Sequence, residues 1–425
     1  MNIADNYLAK NSIFNSLIHE KPNNNTNIIV VIPCYYEPDL IKSLESLKKC
    51  FPTKCSVEVI VVINSSENAS IEVIDYNLKT YTEAKSWTIT NNSLNKKFHI
   101  LNIENLKTKD AGVGFARKIG MDEALRRFDE INNKSGIIVG FDADCLCENN
   151  YLVEIEKHFE NFPKTNACSI YFEHPISGND FSESNYRGII QYELYLRYYY
   201  QALKYIGVPY YYYTVGSSFV VNCLAYAKQG GMNKKKAGED FYFLQKIIPL
   251  GNYSEINSTK VIPSPRPSDR VPFGTGASIQ KWISNENEHY STYNIQSFIE
   301  LKILFEHIEL LWKINQNNIQ AFETKITESI KLFLKLNDFY KNLEEINSNS
   351  TSLESFSKRF YNWFNAFKVL KCLNFLADYN KHRPISESAF ELLNLLNVKL
   401  ENNSDSKDLL MAYRNLDKAN CHQPL

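Results

Sequence analysis

Short runs that are apolar at every position alternate, through the first two-thirds of the chain, with stretches whose apolar residues recur at helical spacing. Asn27–Pro33 (NIIVVIP) reads as a strand closed by a proline. Pro38 then opens an amphipathic helix over Asp39–Lys49, with Leu40, Ile41, Leu44 and Leu47 along one side. Val57–Ile63 and Phe98–Ile103 predict further strands, and Gly114–Phe128 predicts a helix leading to a fourth strand at Gly136–Phe141 (GIIVGF). Ala167–Phe172 and Thr214–Val221 are later strand candidates. Runs with no polar face belong to parallel strands covered on both sides, so the pattern predicts an α/β fold with a doubly wound, mostly parallel sheet.

Beyond about residue 285 the pattern turns helical: Ile295–Ile314, Ile319–Leu343, Leu353–Tyr379 and Ser386–Val398, with the polar connector Ile346–Ser352. A boundary near Glu286–Tyr293 divides the chain into an expected catalytic domain, 1–285, and a helical C-terminal domain, 286–425. Tyr205–Ala227 carries no charge and has the length of a membrane span. Its Gly207, Pro209, Tyr210–Tyr213 and Asn222 would put many polar groups in hydrocarbon, so it reads as a loop entering a buried strand.

Composition narrows the function. The 425 residues carry 47 Lys and Arg against 48 Asp and Glu, a net charge of −1, which argues against nucleic acid as a partner. Nine thinly spread cysteines and the lack of an apolar leader core in Met1–Glu20 suit a reducing, cytoplasmic setting.

The candidate chemistry is acidic. Phe141-Asp142-Ala143-Asp144 ends the fourth strand, where α/β sheets bind ligands. Strand alternation would turn Asp142 and Asp144 to one face, able to grip one hard cation such as Mg²⁺ or Mn²⁺, or else to cap the helix predicted over Glu148–Phe159. Gly112 and Gly114 precede a helix start, where free amides and Arg117 could face an anion; an ordinary loop with an exposed arginine is the alternative. Gly238-Glu239-Asp240 heads another helix, and a carboxylate there could act as general base or merely cap the helix. The proline-stiffened loop Pro263–Gly276 carries Arg266 and Arg270 as candidate diphosphate clamps and Asp269 as a candidate further metal ligand, or is simply a surface loop.

In this order, VIPCYYEPD, GVGFARKIGMDEA, FDAD and AGEDFYFLQK resemble the motifs of the bacterial branch of the family 2 glycosyltransferases, of GT-A fold, over about Ile28–Gly276. The resemblance implies a nucleotide-diphosphate sugar donor, Mg²⁺ or Mn²⁺ at Asp144 and Asp142, and inversion with Asp240 as base and Glu239 beside it. It would place Pro33, Tyr35 and Glu37 around the nucleoside, Arg117 on the donor phosphates and Asp142 on ribose or metal. Tyr36 stands where the family commonly has Asn, and Asn64 where it has a base-reading acid, so base recognition departs from the family pattern. No histidine follows the ED motif closely; His289 and His307 are the next, and His174 is a separate substrate-site candidate.

The tyrosine-rich stretch Tyr186–Tyr213 reads as an acceptor wall, with core filler or a dimer surface as alternatives. Phe356–Phe375 interleaves aromatics with cations, compatible with peripheral membrane contact or with packing on neighbouring helices. The expectation is a cytoplasmic transferase moving a sugar to a hydroxyl of a glycan, lipid-linked or small-molecule acceptor. The alternatives are nucleotidyl transfer on the same type of fold and a non-catalytic assembly role.

Overall fold

The computed structural model describes residues 3–270, 272–284, 290–401 and 404–419. The expected domain cut at 285/286, His289 and Cys421 lie outside them. Two units emerge: Met1–Tyr186 with Thr214–Gln280 and Asp417–Leu425, and Arg187–Tyr213 with Lys281–Leu416.

In chain order the elements up to residue 284 are α1 (Ile3–Asn11), β1 (Thr26–Cys34), α2 (Leu40–Lys48), β2 (Ser56–Ser66), α3 (Ile71–Asn91), β3 (Lys96–Leu106), α4 (Val113–Glu130), β4 (Ile137–Gly140), β5 (Leu146–Cys147), α5 (Tyr151–Asn161), β6 (Ala167–Phe172), α6 (Glu183–Tyr205), β7 (Phe219–Asn222), α7 (Cys223–Lys228), α8 (Glu239–Ile247), β8 (Tyr253–Ile262) and α9 (Thr275–Ser284). All eight strands join one sheet in the order β3-β2-β1-β4-β7-β6-β8-β5. Four of its seven pairings are parallel: β3–β2, β2–β1, β1–β4 and β6–β8. The other three are antiparallel, which makes the sheet mixed where β7 and β5 enter. β1 and β2 are buried almost end to end, as their apolar runs require.

Up to residue 284 the described elements include seven that the periodicity did not reveal: α1, α3, β5, α6, α7, β8 and α9. α3 buries Asn77, Thr80, Ala84 and Thr88, a face of small and polar residues with no apolar signature. The candidate span Tyr205–Ala227 contains the end of α6, a loop, β7 and part of α7. Among the described residues no helix is long and apolar enough to cross a membrane.

The second unit holds most of α6, the short pair β9 (Ser291–Thr292) and β10 (Arg383–Pro384), and the helices α10 (Ile295–Glu306), α11 (Gln316–Glu323), α12 (Glu328–Leu336), α13 (Phe339–Ser348), α14 (Leu353–Trp363), α15 (Ala366–Leu376), α16 (Ile385–Leu395) and α17 (Ser406–Ala419). The long helical stretches break because polar side chains restart the backbone: Thr327, Ser352 and Asn365 each accept an amide two or three residues into the next helix. Phe356, Phe360 and Phe364 are fully buried, so the aromatic stripe packs on neighbouring helices. Tyr198 is likewise buried, its hydroxyl donating to the Tyr293 carbonyl at 2.9 Å and its ring edge-on to Phe298. Tyr198, Tyr200 and Tyr210 are core of the helical unit, whereas Tyr192, Tyr195, Tyr199, Tyr205 and Tyr211–Tyr213 are half-buried.

Candidate active site

Four strands end on one rim of the sheet in the first unit, and the site is assembled there. Pro33 is buried opposite Val62, and the chain leaves β1 through Tyr36, held in the left-handed region at φ 48°. Asn77 of α3 fixes this bend: its Oδ1 accepts the Tyr36 amide at 2.9 Å, and its Nδ2 donates to the Asn64 carbonyl at 3.1 Å. The Tyr36 ring lies 4.6 Å from Tyr76, and its hydroxyl donates to Glu72 at 2.6 Å. Asn64 is buried at the end of β2, and Tyr35 is exposed.

Glu37 is 3% exposed and is the hub of an ion-pair cluster. Both expected clamps bind it: Arg266 through Nη2, and Arg270 through Nη1 at 3.1 Å. Arg266 also reaches Asp39 at 2.7 Å and comes within 3.9 Å of Asp144, while Arg270 donates to the Tyr35 carbonyl at 2.8 Å. The loop is therefore tied down by carboxylates of the first motif. Asp269, by contrast, is exposed and outside the acidic cluster.

Asp142 and Asp144 do come together, but not through strand alternation, because β4 ends at Gly140. A turn closed by the Cys145 amide on the Asp142 carbonyl at 3.1 Å brings them round. Ser43 of α2 locks it, its hydroxyl lying 2.8 Å from the Ala143 carbonyl and 2.6 Å from that of Cys145. Oxygens of Asp142 and Asp144 and the Cys145 sulfur lie within 4.8 Å of one another. Burial and the nearby Asp142 and Glu37 carboxylates push Asp144 up to about 7, although 26% of its side chain remains open. Two close carboxylate oxygens, their repulsion only partly offset by Arg117 and Arg266, suit a hard divalent cation. The Cys145 thiol, buried and pushed up by burial and by Asp144, does not.

Arg117 joins this turn to the second acidic motif. Its guanidinium is 3% exposed, donates Nε to Glu239 at 2.9 Å and pairs through Nη2 with Asp142. Two carboxylates bind the residue expected to face donor phosphates, and among the described residues its buried Nη1 has no hydrogen-bond partner. Glu239 is thus a buried counter-ion. Asp240, half-buried, accepts the Phe241 amide at 2.7 Å through Oδ1. Burial and Glu239 push its carboxyl up to about 7, against the opposing pull of Arg117. A methyl group at Gly216 would sit 2.5 Å from Arg117 Nη2 and 3.1 Å from Asp240 Oδ2, so a glycine is what lets both groups share that volume.

Gly112 and Gly114 also allow a close approach, but to protein. A methyl at Gly114 would meet the Lys235 carbonyl at 2.3 Å, and one at Gly112 the Lys236 side chain at 3.1 Å. Their smallness seats α4 against the loop that precedes Glu239. Ser43, Asn77 and Gly216 were not anticipated from sequence. Of these only Ser43 left a trace, as a polar residue on the apolar side of a helix.

Residues 29–216 match the family described as Glycosyl transferase family 2. The chain's mixed eight-stranded sheet with a helical C-terminal region is GT-A-like, as the motif order implied. No curated protein matches the chain. Solved structures similar to it include S. aureus TarS 1-349 in complex with UDP (14% identity, TM-score 0.37, 83% of this chain and 91% of that one). Another is the same protein with UDP-GlcNAc (13%, TM-score 0.38, 93% and 91%), and a third is GalNAc-T7 with UDP, GalNAc and Mn2+ (12%, TM-score 0.37, 71% and 55%).

Proposed function

We propose that the first unit transfers a sugar from a nucleotide-diphosphate donor to an acceptor hydroxyl with inversion, and that Asp240 is the base. One observation carries this reading. Arg117 ties Asp142, beside the candidate cation ligand Asp144, to the Glu239-Asp240 pair, so a leaving-group site and a carboxyl near pKa 7 share one wall.

The family 2 match supports sugar transfer, and the two close carboxylates support Mg²⁺ or Mn²⁺. Held by Asp142 and Asp144, such a cation would offset the charge on the departing diphosphate. Asp240 Oδ2 takes the acceptor proton as the acceptor oxygen bonds to the anomeric carbon and the bond to the diphosphate breaks; Oδ1 is held by the Phe241 amide. Arg117 keeps Asp142 and Glu239 in place through this step. Arg266 and Arg270, now on Glu37, can turn to the diphosphate when it arrives. Tyr35, Tyr36, Tyr76 and Asn64 border the nucleoside. The acceptor is a glycan, lipid-linked or small-molecule hydroxyl.

A thermal-shift panel of nucleotide sugars with and without Mn²⁺ tests the reading. The expected result is a shift that needs both donor and cation and disappears in Asp144→Ala. Stabilisation by nucleoside triphosphates with pyrophosphate release would assign nucleotidyl transfer instead, and no shift with any nucleotide sugar would overturn the proposal.

A further inference from the structure

Two cysteines stand together behind the acid turn. Cys50 follows α2 and Cys147 ends β5, and their sulfurs lie 3.6 Å apart in hydrogen-bond contact. The two backbones already run side by side, the Phe51 amide donating to the Asn149 carbonyl at 2.7 Å. A disulfide bond is about 2.05 Å long, so the sulfurs need to approach by only about 1.5 Å to be joined. Buried thiols are ordinarily small apolar filler. The other six described cysteines fit that role, for burial pushes up the thiols of Cys34, Cys55, Cys145, Cys168, Cys223 and Cys372.

Cys50 differs. A hydrogen bond from the Cys147 thiol holds it below the usual thiol range, and Lys96 pulls the same way against burial. Lys96 is fixed there by the end of α2: its ammonium donates to the carbonyls of Leu47, Lys48 and Cys50 at 3.0, 3.2 and 3.0 Å. Cys147 keeps its proton, pushed up by Cys50 and by burial. One sulfur is thus primed as a nucleophile, and its neighbour is placed to resolve what forms. Exposure of 5% at Cys50 and 8% at Cys147 suits a small oxidant rather than a bulky disulfide.

We infer that Cys50 and Cys147 are a modification site for hydrogen peroxide, which joins them in a reversible disulfide fastening α2 to β5. The Cys50 thiolate attacks a peroxide oxygen, the O–O bond breaks, and the departing hydroxide takes a proton from solvent as water, leaving a sulfenic acid on Cys50. The Cys147 sulfur then attacks the Cys50 sulfur, the S–O bond breaks, and the second hydroxide leaves with the Cys147 proton as water. The two thiols lose two electrons and one peroxide gains them. The bridge would anchor a strand that already matters to the acid turn. Ser43 of α2 holds the Ala143 and Cys145 carbonyls, Ser46 lies 3.7 Å from the Cys147 sulfur, and β5 pairs with the end of β8, which leads into the arginine loop. Any effect on cation binding rests on the proposed function; the bridge itself does not.

The full-length chain, reduced and then exposed to hydrogen peroxide under native conditions, is alkylated in denaturant and mapped by mass spectrometry. The expected product is a linked pair of peptides containing Cys50 and Cys147, which dithiothreitol returns to free thiols and which Cys50→Ser and Cys147→Ser both lack. The bridge joins residues 97 apart, so oxidised wild type should melt several degrees above reduced wild type, while peroxide should raise neither variant. Circular dichroism of the reduced variants checks their fold, and the wild-type mapping decides the matter even where a variant fails to fold. Full alkylation of both cysteines after peroxide overturns the inference. So does a bridge through any other cysteine, or a Cys50–Cys147 bridge that leaves the melting temperature unchanged. No nucleotide sugar enters this assay, so its failure and that of the donor panel are separate results.

Discussion

Asp240 is the residue on which the proposed chemistry turns, and its raised pKa gives two opposite signs to measure. As a base it works only when ionised, so the rate should rise with pH through about 7. For stability the direction reverses. A carboxyl whose folded pKa lies above its unfolded value, 3.8 moved to about 7, favours the folded state fully below the lower value, and that advantage is lost as pH rises through the upper one. Asp240→Asn keeps an oxygen for the Phe241 amide and removes the charge. Turnover in this variant should fall by about 10²- to 10⁴-fold, the usual worth of a general base. Its melting temperature relative to wild type should be higher at pH 8 than at pH 5. A variant that keeps its turnover, or a rate that does not rise with pH in this range, removes Asp240 from the role.

Between elements, the site is a set of loops pulled together by charge, and the arginine loop after β8 competes with any cation. Arg266 Nη2 lies 3.9 Å from Asp144, close enough to offset part of the charge a divalent ion would need. A unit charge at that distance in water-like surroundings is worth about 1 kcal/mol, or about fivefold in affinity. Arg266→Ala should therefore bind Mn²⁺ without nucleotide about fivefold more tightly than wild type, read by electron paramagnetic resonance, whereas Asp144→Ala should bind none. Equal affinity in Arg266→Ala and wild type would mean the arginine does not guard the site. The elements that carry these loops were legible in unequal measure. β1, β2 and β6 were plain because strands covered on both faces are filled mostly by apolar residues. The acids of the two motifs were legible because their types and order are distinctive. What joins them was not: Arg117 is bound by carboxylates 25 and 122 residues away, and Asn77, on a helix whose buried face is small and polar, joins the bend after β1 to the end of β2. Such partners are set by tertiary proximity, which spacing along the chain does not encode.

At the scale of the whole molecule, chain order and unit membership part company. Residues 187–213 precede β7 and α8 in sequence yet belong to the helical unit, because α6 carries side chains that this unit needs. Glu193 of α6 is fully buried and accepts from Arg197 at 2.8 Å and from Arg414 of α17 at 2.7 and 2.8 Å. Tyr210, just after α6, is buried and donates to the Phe364 carbonyl. Two arginines around one carboxylate form a charged knot out of water, stable only while all its members are present. Arg414→Ala should therefore cost about 3–5 kcal/mol, the price of uncovering a buried partner, visible as a lower melting temperature of the full-length chain. A fragment of residues 286–425, cut where the pattern of helices begins, lacks Glu193, Arg197 and the aromatic face of α6. It should show no cooperative thermal transition by circular dichroism. A fragment that unfolds cooperatively, together with a neutral Arg414→Ala, would mean that α6 is dispensable to the helical unit and that its tyrosines are held there for some other purpose.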